Sequence, residues 1–409
     1  MRKTLTYIST LLLGLVLTAG CEDYFGNKTD LDFIEVPDYD AVRQLAYVPI
    51  LPVLDMFDRP TDVTVGFDEL IYVVDAATEE VIALDQAGRE LGRRFVPGAT
   101  AVAQDRAFDL LVVGSFDTVL VDGGNPRNYT FPAIYRLRMF SGSAYDIAQA
   151  QIVRKVVHPF YTGRRGNSND ELPRVRFNKI AVVGNNSDPE LNNRYYVTRA
   201  GEGFDGGGII PNDAILYFSN QDEFITTIPV NTSTGVFNDY FQSPSGIATP
   251  AQPPQLTTGT GREFIFTSTD PATTLKVQFI EYFETEFTSF YSPRLIAPDT
   301  SQADGFLYEP DKFSQPTAVT LAGDGTEFIF VVDAGTDSLY QFVSNGFEGV
   351  LPPAASGIDR YQKVSFGGTG TGATQFNRPM GVAYFNRIVY VADSENGRVL
   401  RFQLTTDFR

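Results

Sequence analysis

The chain has no tryptophan, one cysteine and one histidine among its 409 residues. A lone cysteine excludes an internal disulfide and any zinc site built on paired thiolates. A lone histidine excludes a His-rich metal centre, and no serine sits in a G-x-S-x-G nucleophile turn. Positive charge is scarce: 32 Lys and Arg stand against 50 Asp and Glu, a formal net charge of −18. Phosphate binding needs clustered basic side chains to displace counterions, so nucleic acid is excluded as a partner. Turn and strand formers are plentiful, with 36 Gly, 24 Pro, 33 Phe and 20 Tyr. This leans towards β-structure with many turns. At 43% hydrophobic and 20% charged, the composition suits a folded core.

The N-terminus reads as an address. Arg2 and Lys3 precede an apolar stretch at residues 11–17, shorter than the about 20 residues that span a bilayer and matching the apolar region of a secretory signal. In Leu17-Thr18-Ala19-Gly20-Cys21, small residues directly precede the only cysteine. This resembles a bacterial lipobox, although Thr18 stands where an aliphatic residue is usual. The resemblance implies removal of residues 1–20, acylation of Cys21 and membrane contact through that anchor. Glu22 and Asp23 resemble the surface-export signal of Bacteroidota lipoproteins, which implies a bacterial outer membrane or cell-surface address. Residues 21–44 are polar and acidic and read as a tether.

Three segments repeat one pattern. Pro60-Thr61-Asp62-Val63 is followed by Ile71-Tyr72-Val73-Val74-Asp75 and Val81-Ile82-Ala83-Leu84. Pro316-Thr317-Ala318-Val319 leads to Ile329-Phe330-Val331-Val332-Asp333 and Leu339-Tyr340-Gln341-Phe342. Pro379-Met380-Gly381-Val382 leads to Val389-Tyr390-Val391-Ala392-Asp393 and Val399-Leu400-Arg401-Phe402. Each unit reads as three short strands, with the terminal Asp accepting bonds from turn N–H groups. The pattern resembles the NHL repeat, a blade unit of β-propellers, most closely in residues 376–399 with the glycine-rich run 366–370 upstream.

Weaker units at residues 99–140, 177–219 and 245–282 bring the number of blades to six. Outer strands are available at 91–96, 151–157, 224–229, 287–295 and 361–366. The sixth outer strand is missing at the C-terminus. Residues 45–54 are unassigned, and Pro49 and Pro52, lacking N–H donors, suit an edge position. The expected fold is therefore all-β: a monomeric six-bladed β-propeller of four-stranded blades over residues 45–409, closed by an N-terminal strand that completes the last blade. Closure removes exposed sheet edges.

Three long connections, 115–132, 158–174 and 200–213, should share one face. Their Arg and aromatic side chains are typical of interaction hot spots: Arg127, Tyr129, Phe131, His158, Phe160, Tyr161, Arg164, Arg165, Arg174 and Phe204 form the candidate face. His158 itself reads as a surface or loop side chain. The glycine-rich run 201–208 contains Glu202 and Asp205 and lacks the Lys and helix of a phosphate cradle. No catalytic set and no cofactor are expected. Peptidylglycine lyases that resemble the NHL family bind zinc through several His, which this chain cannot supply. Lactonase-like six-bladed propellers hold calcium in the central channel with Glu, Asn and Asp, so the resemblance implies calcium under that alternative. Asp68, Asp270, Asp324 and Asn386 read as turn residues. The expected function is a lipid-anchored, non-enzymatic module that presents its loop-rich face to a protein, peptide or glycan. The alternative is a metal-dependent hydrolase or lyase of the lactonase-like kind. Convergent carboxylates in the channel would favour the alternative, and an apolar channel the module.

Overall fold

The computed structural model describes residues 45–407, apart from 123, 143, 159–173, 185–187, 202–212 and 255–260. The chain divides into two units, Met1–Gln44 and Leu45–Arg409. The signal segment, Cys21 and the tether lie outside the described residues, as do Phe160, Tyr161, Arg164, Arg165 and Phe204.

The second unit is a six-bladed β-propeller. Blade one is Pro60–Val65, Ile71–Asp75, Glu80–Leu84 and Glu90–Phe95, paired antiparallel in that order. Blade two is Ala101–Gln104, Leu110–Asp122, Asn125–Arg138 and Gln151–Val157. Blade three is Val175–Val182, Tyr195–Gly201, Ala214–Phe218 and Phe224–Thr227. Blade four begins Pro244–Ala248, Phe264–Ser268, Val277–Glu284 and Ser289–Pro293. Blade five is Pro316–Leu321, Phe328–Asp333, Ser338–Val343 and Phe366–Gly367, and blade six contains Pro379–Phe385, Ile388–Asp393 and Arg398–Leu404. Outermost on blade six lies Tyr47–Pro49, with Tyr47 opposite Leu404 and Pro49 opposite Phe402. No α-helix occurs among the described residues.

The second strands carry unbroken apolar runs because neighbouring blades cover both of their faces. Ile71, Tyr72, Val73 and Val74 are all fully buried. At the end of this strand the repeated Asp ties two turns together. Asp75 accepts from the backbone N–H groups of Asp58, Arg59 and Ala77 at 2.6–3.0 Å. Asp333 accepts from those of Ser314, Gln315 and Gly335 at 2.6–2.8 Å. Asp393 accepts from Asn377 N–H, Asn396 Nδ2 and Arg398 Nε. The turn-capping role expected for these residues is the one they have.

A second set of bonds links one blade to the next. Thr61 Oγ1 donates to the Thr100 carbonyl (2.9 Å), Asn178 Nδ2 to Pro244 (2.7 Å), Ser245 Oγ to Pro316 (2.6 Å) and Thr317 Oγ1 to Pro379 (2.7 Å). Blade six has Gly381 near the matching level, where a Cβ would lie 2.8 Å from the Asp62 Cα of blade one. Glycine is therefore required there by close backbone approach.

Three features differ from expectation. Residues 115–132 are not a loop: the second and third strands of blade two continue as a two-stranded ribbon, paired from Leu110↔Leu137 out to Asp122↔Asn125. Blade four gains two further strands, Val230–Thr232 and Gly235–Phe237, the former parallel to Ser289–Pro293. The outer strand of blade five is two residues long, so residues 344–365 cross the rim as an irregular connection.

Tyr47 anchors the N-terminal strand to two blades, since its hydroxyl also donates to Gln341 Oε1 of blade five at 3.0 Å. Deletion of residues 45–54 should lower the melting temperature by well over 5 °C, as it exposes the third strand of blade six. An unchanged calorimetric melting curve would contradict this role.

Candidate functional site

The first place to look for chemistry is the central channel. Its wall takes Val63, Val102, Ile180, Ile247, Val319 and Val382 from the six inner strands, and only about 60 Å³ remains open between them. The charged groups in the wall are Asp62 and Lys179. Lys179 Nζ reaches across from blade three to lie 2.5 Å from Asp62 Oδ1 and 2.9 Å from the Thr61 carbonyl. Asp62 Oδ2 accepts from Val102 N–H at 3.0 Å. Burial holds the Asp62 carboxyl above its usual range even against the pull of Lys179, so desolvation outweighs the Coulombic gain, as it commonly does for enclosed pairs.

This geometry tests calcium. The ion takes about six to eight oxygen ligands. The channel offers one carboxylate, already neutralised by an ammonium. Among the described residues no three His, Cys, Asp or Glu stand close enough together to hold a metal. The channel residues do not fit the ion.

The upper face carries the turns between second and third strands and the connections between blades. Of the residues expected to form an interaction surface there, Arg127 and Arg174 are exposed and Tyr129 is half-buried. Phe131 and His158 depart from that expectation. Phe131 is fully buried at the base of the ribbon, stacked on Tyr129 at 5.9 Å and packed with Val175. His158 is 1% exposed and stacks on Phe177 at 5.7 Å, so it is not a surface or loop side chain. Its backbone N–H continues the pairing of blade two by donating to Pro132, which turns the ring inward.

A cleft opens on the lower face, among the turns that join first to second and third to outer strands. Its volume is about 770 Å³. Blade five contributes Asp324, Thr326, Phe328, Val343, Val350, Leu351 and Tyr361, and blade six Tyr384, Phe385, Asn386, Arg387, Leu404, Thr406 and Asp407. Glu69 and Gln86 of blade one and Pro254 of blade four complete the wall. The cleft exists because the outer strand of blade five is so short: residues 344–365 stand as a wall where a strand would close the rim. Glu348 pins that wall. Its carboxylate binds Lys312 at 2.9 Å and Lys363 at 3.2 Å. Burial opposes its ionisation, but the Lys312 bond and charge prevail and hold its carboxyl below the usual range.

Within the cleft, Tyr384 donates to Asp324 Oδ2 at 2.8 Å, and Thr326 donates to Oδ1 through its N–H (3.1 Å) and hydroxyl (2.6 Å). Arg387 lies 3.4 Å from Asp407. Burial and the nearby Asp324 charge raise the Asp407 carboxyl above its usual range, against the opposing effect of Arg387. Burial and Asp324 also raise the Tyr384 phenol, which stays protonated as a donor. Asp324 and Asn386 read as turn residues in the sequence, and they are; their position on a cleft had no local signal. Tyr384, Arg387 and Asp407 carry no motif that marks them in the sequence.

The NHL repeat profile matches residues 376–402. No curated protein matches the chain. Several solved propellers are similar in fold. A gluconolactonase from Xanthomonas campestris has a TM-score of 0.47 and 10% identity, over 86% of this chain and 88% of that one. A calcium-binding protein, regucalcin, from Agrobacterium tumefaciens gives 0.46 and 13%, over 87% and 95%. An aldose sugar dehydrogenase from Streptomyces coelicolor gives 0.48 and 12%, over 88% and 98%. The similarity is one of architecture.

The buried histidine yields a clean test. Burial, then the Arg199 charge, pushes the His158 imidazole down to about 3, whereas an unfolded chain titrates near 6.5. Between these values the unfolded state binds a proton that the fold does not. Stability is therefore unaffected by this group above pH 6.5 and falls as pH drops towards 3. Since the chain has one histidine, its imidazole NMR resonance is unambiguous and should stay flat from pH 8 to 5. A midpoint near 6.5 would contradict the burial.

Proposed function

We propose that the protein is a small-molecule-binding propeller whose site is the lower-face cleft, presented from a membrane by an acyl anchor on Cys21. The cleft carries this reading. Its volume falls within the about 300–1,000 Å³ of metabolite and cofactor sites, and it combines apolar walls with a few convergent polar groups and a perturbed carboxyl. The upper-face protein, peptide or glycan module has less support, because Phe131 and His158 are withdrawn into the core.

The lactonase-like alternative retains a specific footing, with its site moved. Asp407, whose carboxyl burial raises above its usual range, and Asp324, which accepts from Tyr384 and Thr326, set two carboxyl groups in unlike surroundings, as acid–base hydrolysis of a neutral ester or lactone needs. No step through calcium is part of this reading.

The absence of tryptophan supplies the assay. Leu351→Trp places the sole indole on the cleft wall, at a position 53% exposed, and Val236→Trp places one on the remote edge of blade four. A panel of small amines, sugars and lactones should include members that change the emission of the first variant saturably and leave the second unchanged. Equal responses, or none from Leu351→Trp, would contradict the cleft site. Any lactone that binds should be hydrolysed at least about tenfold more slowly by Asp407→Asn.

The anchor is tested in a bacterial host with a labelled fatty acid. The wild type should take up the label and partition with membranes, and Cys21→Ser should do neither. Labelling of the serine variant would overturn the assignment.

A further inference from the structure

The charges around the cleft say which ligands it admits. Three carboxylates, Glu69, Asp324 and Asp407, face one guanidinium, Arg387. That guanidinium stands at the rim with its side chain 47% exposed and donates to Asp407 at 3.4 Å, so it offsets one of the three charges, and an exposed pair of this kind is screened by solvent. Glu69 is bound by Gln86 Nε2 at 3.1 Å, a neutral partner that leaves its charge uncompensated. Asp324 likewise receives only hydroxyl and amide donors. Beside these groups the wall is apolar: Phe328, Val343, Val350 and Leu351. A sugar would find few partners for its hydroxyls along that wall, and an anion would meet uncompensated negative charge.

We propose that the cleft selects an organic cation, a primary or quaternary ammonium carried on a compact apolar body. The ammonium sits between Asp324 and Asp407 and the body lies against Phe328 and Leu351. Aromatic rings at Phe328 and Tyr361 add cation–π attraction at the rim. This rests on the cleft being the ligand site, and the two claims fail differently.

The test uses three probes of one shape, phenylethylamine, phenylethanol and phenylpropionate, titrated against the Leu351→Trp chain. The amine should bind at least about tenfold more tightly than the alcohol, and the carboxylate should not bind. In Asp324→Asn/Asp407→Asn the amine should fall to the level of the alcohol. Should that variant misfold by circular dichroism, added NaCl serves instead: it should weaken the amine and leave the alcohol unchanged. Equal binding of amine and alcohol, tighter binding of the carboxylate, or a preference untouched by the substitutions or by salt overturns the cation proposal while leaving the cleft as the site. Silence of all three probes overturns the cleft site as well.

Discussion

The propeller depends on a buried carboxylate at the end of a strand. In blades one, five and six, one Asp gathers the connection entering the blade and the turn between its second and third strands. Hydrogen bonds to a charged group contribute about 1.5–3 kcal/mol each, and removing the acceptor would leave buried N–H donors unsatisfied. The hydroxyl-to-carbonyl bonds from Thr61, Ser245 and Thr317 then carry the order from blade to blade. Lys179 and Asp62 join blades three and one across the top of blade two. With the upper ends of these blades so tied and the channel packed to about 60 Å³, the described residues leave a cleft where the repeat is least regular, below blades five and six.

That irregularity has a traceable cause. The repeat runs faithfully through the third strand of blade five, but its outer strand is reduced to Phe366–Gly367. The chain spends residues 344–365 below the blade, pinned by Glu348 between Lys312 and Lys363. The ends of the blade-six strands, Asn386, Arg387 and Asp407, face this wall. A rigid ring thus positions short turns as the floor and sides of a site, the usual division of labour between scaffold and loops.

Three blades were legible in the sequence because side chains do the tying. Blade two makes the same link by backbone alone, Ser115 N–H to Pro97, as Ala76 to Arg59 in blade one; blade four pairs Thr269 N–H with Ser243 and adds the Ser268 hydroxyl to Gln242, with no Asp at the strand end. Neither a backbone bond nor a serine hydroxyl repeats the Asp signature, which is why the middle blades read weakly while their strands lie close to the expected places. The ribbon of blade two does have a signal, Gly123-Gly124 between two strand-forming runs, a hairpin pattern that the length of the connection masks. The burial of His158 had none, since it follows from the end of the outer strand of blade two meeting Phe177 of blade three. The cleft was invisible for a topological reason: Glu69, Pro254, Asp324 and Asp407 belong to four blades and meet only when the ring closes.

Hydrogen–deuterium exchange in the presence and absence of phenylethylamine tests most directly that the lower-face cleft is where this propeller meets its ligand. The account predicts added protection in residues 322–327, 344–351 and 386–387, with the ribbon at 115–132 unchanged. Protection of the ribbon alone, with the cleft turns exchanging as before, would contradict it.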